Sequence, residues 1–234
     1  MTTTESARVS PASRPADVRR AAIWAGLAVV LMAPLGMLGN VLVLGLEGDI
    51  TAVGAAVAAD PGLVNVAAVA FIAVAILDVI AAWGIARFFA DGTGASELAG
   101  WLRAVYAAGL MVGAGLLVLA TTVASDADAA LTGLGVVAFR AVWQLSLVVF
   151  AAHLAVLAFL VVRHAAAPSV VGWIVAIASA GYAFDGIARL SLPSDALALT
   201  IGLIVVSAAS IAGELALAVW LLARGGRARK ETAR

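Results

Sequence analysis

The chain contains no cysteine. That excludes disulfides, thiolate metal centres, iron–sulfur clusters and cysteine nucleophiles. It has one lysine, Lys230, near the C-terminus, so no span can carry a retinal Schiff base. Two histidines, His153 and His164, are too few for stacked bis-histidine haem sites. No phosphate-cradling G-x-x-x-x-G-K-[ST] or G-x-G-x-x-G run occurs, so nucleotide binding has no support. Charge is scarce too: 12% of 234 residues, against about 25% in ordinary soluble domains. The 14 basic and 14 acidic side chains cancel, which excludes a generally basic nucleic-acid binder.

Apolar side chains fill the gap. They make up 64% of the chain, and mean hydropathy is +1.11. A soluble chain of this size has no room to hide that much apolar surface. The composition therefore points to an integral membrane protein, and the lipid bilayer is its first partner.

A membrane-crossing helix needs about 20 mostly apolar residues. Six stretches qualify: 21–46, 63–90, 98–123, 134–162, 169–190 and 196–223. They are too long for barrel strands and show no period-2 alternation. The expected fold is all-α, a polytopic bundle of six transmembrane helices spanning 21–224, with no separate soluble domain. Turn signals separate the stretches: Glu47-Gly48-Asp49, Asp60-Pro61-Gly62, Asp91-Gly92-Thr93-Gly94, Ser125-Asp126-Ala127-Asp128 and Leu192-Pro193-Ser194-Asp195. Residues 1–20 and 225–234 read as mobile polar tails. The first apolar run exceeds a signal-peptide core and reads as a retained anchor.

Basic residues orient the bundle. With both termini in the cytoplasm, 12 of the 14 fall inside; only Arg140 and Arg189 remain outside. Trp24, Trp101, Trp173 and Trp220 all fall near cytoplasmic ends, as interfacial anchors do. The expected location is the cytoplasmic membrane of a prokaryote.

Ionisable residues inside spans are costly and normally face the bundle interior with a partner. Asp78, His153 and Glu214 each precede the inner end of their span by nine or ten residues. At 1.5 Å rise per residue, that is about 13–15 Å deep for all three. Arg103 and Tyr106 enter the third span from the same side, and Arg103 is long enough to reach Asp78 or Glu214. Thr200, Ser207, Ser210 and Glu214 form one helical stripe, as do Ser146 and His153. A second polar group lies nearer the outer side: Asn40, Arg140, Gln144, Tyr182, Asp185 and Arg189. Asp185 and Arg189 have ion-pair spacing.

Three readings follow. Polar groups can act as glue between helices, in a structural or signalling subunit of a membrane complex. Alternatively, Asp78 and Glu214 accept protons or cations, His153 switches near neutral pH and Arg103 supplies the counter-charge, in a path for protons or a small solute. The third reading is an intramembrane metal enzyme. It is poorly served, because no paired-histidine spacing is present, and no cofactor is expected. Gly109 and Gly113 read as close packing within the bundle, and Pro34 as a kink in the first span.

Gly48-Asp49 with Thr51, Leu77-Asp78-Val79, Arg103, Phe150-Ala151-Ala152-His153-Leu154, Gly181-Tyr182-Ala183-Phe184-Asp185 and Gly213-Glu214-Leu215, followed by Trp220 and Gly225, occur in a telling order. The chain resembles the prokaryotic membrane family catalogued as domain of unknown function 4386, from about residue 20 to 226. The resemblance implies six spans and no particular activity. It marks Asp78, Arg103, His153, Tyr182, Asp185 and Glu214 as pattern positions. Ser169 stands where that family often has an arginine.

Overall fold

In a computed structural model, the chain is described over residues 15–90, 92–124, 129–165, 167–191, 197–223 and 225. Residues 1–14, 91, 125–128, 166, 192–196, 224 and 226–234 lie outside the described residues, and with them the turn signals expected at 125–128 and 192–195 and the first residue of the one at 91–94. So do the side chains of Thr200, Ser207 and Ser210, and with them most of the polar stripe expected on the last span.

Seven helices follow one another among the described residues: α1 (Pro15–Leu44), α2 (Ile50–Ala59), α3 (Pro61–Phe88), α4 (Ala95–Val123), α5 (Ala129–Arg163), α6 (Ser169–Ser191) and α7 (Leu197–Ala223). No strand is present among them. Helices α1, α3, α4, α5 and α6 are long and apolar enough to cross a membrane. Helix α7 runs 27 residues, about 40 Å at helical rise, which is sufficient length for a sixth crossing. Helix α1 starts at Pro15, six residues before the apolar run.

The long helices form a closed ring. Helix α1 packs on α3, then α3 on α4, α4 on α5, α5 on α6 and α6 on α7, and α7 returns to α1. Each helix sorts its side chains by phase. On α3, Val64, Ala67, Phe71, Ala75, Asp78, Ala82 and Ile85 are buried, while Val66, Val69, Ile76, Val79 and Trp83 are exposed on the opposite flank. Val69 is 66% exposed, a poor arrangement in water and a natural one in lipid. Glycines allow close approach: Gly109 faces Ser146 and Gly113 faces Phe139, both across to α5.

Helix α2 is the element that span counting passes over, because ten residues are too few to cross. Its ends are built from short-range chemistry. Asp49 caps it, accepting from the backbone of Thr51 at 3.0 Å and Ala52 at 2.8 Å. Asp60 then caps α3 through Leu63 N, with Pro61 in the first turn. Helix α2 lies against α5 where Gly54 and Gly133 meet. A Cβ on Gly54 would strike the backbone of Ala129 and Gly133, so the two backbones are in direct contact there.

Two arginines close helix ends across the ring. Arg19 of α1 donates to the carbonyls of Leu221 at 2.9 Å, Leu222 at 2.5 Å and Gly225 at 2.7 Å, at the end of α7. Arg140 of α5 donates to Val43 O at 3.2 Å and to Leu46 O, at the end of α1. Both supply donors and positive charge to carbonyls that a helix leaves unpaired.

Candidate functional site

Helical phase brings the deep ionisable residues together. Asp78 lies seven residues after Phe71 and seven before Ile85, on the buried line of α3. Arg103 shares its face with Ala99, Tyr106, Ala107 and Leu110 on α4. His153 shares its face with Phe150, Leu154 and Leu157 on α5, and Glu214 is near Leu217, Ala218 and Leu221 on α7.

Arg103 is the centre. Its Nε donates to Asp78 Oδ1 at 2.7 Å, a short charge-assisted bond, and both side chains are 2% exposed. Its Nη1 lies 3.2 Å from His153 Nε2. Its Nη2 lies 3.7 Å from Glu214 Oε2 and 3.8 Å from Met32 Sδ. The guanidinium carbon is 5.4 Å from the centroid of the Phe150 ring. Five helices, α1, α3, α4, α5 and α7, thus meet at one side chain.

The imidazole tautomer follows from its partners. Arginine only donates, so His153 Nε2 accepts. Ala99 O only accepts, so His153 Nδ1, at 2.8 Å, carries the hydrogen. His153 is therefore neutral, and a second proton would displace the Arg103 bond and set two cations side by side. Replacing His153 with leucine is expected to strand Ala99 O and Arg103 Nη1, at about 1–3 kcal/mol for each group. Thermal melting in detergent should show a clear loss for His153→Leu and a smaller one for His153→Gln, which restores one partner.

Asp78 and Glu214 are not equivalent. Asp78 is sealed, yet its Oδ2 has no partner among the described residues. Glu214 is held at longer range and its side chain is 21% exposed. Two carboxylates face one guanidinium and a neutral ring, so the site carries one excess negative charge unless it takes up a proton.

Tyr106 packs on Phe150, with ring centroids 4.6 Å apart, and Phe150 meets Tyr182 edge-on at 5.4 Å. Three residues beyond Tyr182, Asp185 accepts from Arg189 Nε at 3.0 Å and from Gln144 Nε2 at 3.2 Å. The other residues expected in that outer group bond elsewhere. Asn40 donates to its own helix at Gly36 O, 2.8 Å away, and Arg140 is spent on the end of α1. Ser146 likewise turns to its own helix, at Val142 O.

A third feature joins α3, α5 and α7 beyond the inner cluster. His164 stacks on Phe88 at 5.3 Å, with Phe89 and Trp220 edge-on at 5.5 Å. Trp220 is thus an exception among the expected interfacial tryptophans: it is 8% exposed, because it closes this box, whereas Trp24, Trp101 and Trp173 are open to the surroundings. Burial holds the His164 imidazole below its ordinary value of 6.5. The uncharged ring therefore supports the fold fully above that value, and stability declines as pH falls below it, through the lowered folded-state value. In neutral detergent, His164→Phe should flatten the acid side of the melting profile and leave the alkaline side unchanged.

Among the described residues, no three His, Asp or Glu side chains converge to hold a metal ion. The guanidinium of Arg103 fills the point where Asp78, His153 and Glu214 approach one another.

Ring closure, lipid-exposed apolar flanks and a buried arginine-centred ion cluster define a multi-pass helical membrane protein. A family model described as "Domain of unknown function (DUF4386)" matches residues 24–225, and the chain belongs to that family. No curated protein and no solved structure matches it.

Proposed function

We propose that the chain resides in a prokaryotic cytoplasmic membrane and that its Arg103 site holds and releases one proton, linked to passage of a small solute. The unequal sharing of Arg103 by two carboxylates carries this reading. Asp78 is the fixed counter-ion. Glu214, at 3.7 Å and partly exposed, is the exchangeable partner. With Glu214 ionised, α7 is held to Arg103; with Glu214 protonated, that tie loosens while the 2.7 Å bond to Asp78 remains. His153 fixes the orientation of Arg103 and does not itself take the proton. The end of the bundle holding Arg19, Arg20, Arg87 and Arg163 faces the cytoplasm, by the excess of basic residues there.

Infrared difference spectra between acid and alkaline buffers test this in lipid-reconstituted protein. Besides the bands of the solvent-exposed carboxylates, one further titrating carboxylic-acid band is expected, absent in Glu214→Gln and retained in Glu97→Gln at the exposed start of α4. Spin labels on cysteines introduced into α4 and α7 should change separation with pH only when Glu214 is present. Identical difference spectra for the native chain and Glu214→Gln would remove the proton reading.

The second reading is a purely structural tie. It is favoured by the same side chain joining five helices. It expects Glu214→Gln to lower stability without any change in pH response.

A further inference from the structure

We propose that the basic end of the bundle carries a binding pocket for the phosphate headgroup of an anionic phospholipid from the adjoining leaflet. A cavity of about 210 Å³ opens there between the end of α3 and the end of α5. Phe89, Phe159, Leu160, Arg163, His164 and Ala165 line it.

Its chemistry is two-sided. Arg163, the last residue of α5, makes no ion pair or hydrogen bond through its guanidinium among the described residues. The guanidinium carbon lies 5.1 Å from the centroid of the Phe159 ring. That contact steadies the side chain and leaves its donors unspent. His164 Nδ1 is a second polar atom without a partner among the described residues. Phe159 and Leu160 supply the apolar remainder, and Phe159 is 47% exposed.

Size selects the occupant. The cavity has room for about seven waters at liquid density. That suffices for a phosphate with part of a glycerol. The exposed ring of Phe159 continues from the cavity onto the lipid-facing surface, where acyl chains run. A guanidinium prefers phosphate through paired charge-assisted bonds, and basic pockets at this level of a bundle suit anionic headgroups. The site is separate from the Arg103 cluster and does not depend on the proton reading.

Native mass spectrometry of the full chain, released from nanodiscs with equal anionic and zwitterionic phospholipid of identical acyl chains, tests the proposal. The anionic lipid is expected to be retained preferentially. Arg163→Gln should cut that retention about tenfold, the loss of one charge-assisted contact. Arg163→Lys should restore part of it. Arg87→Gln, another exposed basic residue at the same end but outside the cavity lining, should leave it unchanged. Equal retention of both lipids, or full retention in Arg163→Gln, would overturn the proposal. Displacement of the lipid by millimolar inorganic phosphate would overturn it too, because the site would then take the free anion.

Discussion

Replacing Arg103 with leucine is expected to destabilise the bundle by about 3–5 kcal/mol, the cost of leaving a buried charge without its partner. Two carboxylates, Asp78 and Glu214, lose their cation together, and His153 Nε2 loses its donor. Arg103→Lys should recover little. An ammonium is a point charge, whereas the guanidinium reaches Asp78 through Nε and His153 and Glu214 through separate nitrogens. Thermal melting in mild detergent, followed by helical circular dichroism, measures the loss. The decisive comparison is the triple variant Asp78→Leu, Arg103→Met, Glu214→Leu. Removing the whole charged set leaves no unpaired ion, so it should melt well above Arg103→Leu. A triple variant as unstable as the single one would mean that shape at this point matters more than charge.

The second large effect is expected at Gly54. A valine there places methyl groups where the backbone of Ala129 and Gly133 runs. Neither neighbour is the free end of a flexible side chain, so α2 must lift from α5. Overpacking of this kind costs about 1–3 kcal/mol. The native chain has no cysteine, so a pair introduced into α2 and α5 reports this contact without background. Crosslinking should be efficient beside Gly54 and sharply reduced in Gly54→Val, while contacts between α3 and α4 stay intact.

The long helices were legible because lipid imposes one demand on every span, a run of apolar residues of bilayer length. Their observed limits fall within six residues of the apolar runs. Helix α2 answers to a different rule. Asp49 and Asp60-Pro61-Gly62 read as turns, whereas Asp49 and Asp60 are helix caps and Pro61-Gly62 already open α3; the helix that Asp49 caps is too short to be found by counting spans. The depth shared by Asp78, His153 and Glu214 can be counted along the chain, and inward phase follows from their cost in lipid. Their ranking around Arg103 cannot be counted. The difference between 2.7 Å to Asp78 and 3.7 Å to Glu214 depends on how α3 and α7 rotate against α4. Arg19 was readable only as a charge that orients the bundle, and Arg140 as an outer charge and a member of the outer polar group. Their partners are backbone carbonyls, which carry no residue identity.

The ring α1–α3–α4–α5–α6–α7 also imposes an order of assembly on a chain made from its N-terminus. Asp78 and Arg103 lie on successive helices, so the emerging hairpin already carries its charges as a pair. His153 arrives next and completes the orientation of the guanidinium. Glu214 comes on the final helix, and Arg19, synthesised 202 residues before its Leu221 acceptor, waits for that helix as well. The nascent protein therefore passes through an open, C-shaped stage that is electrically balanced without Glu214. Helix α7 is the last piece seated.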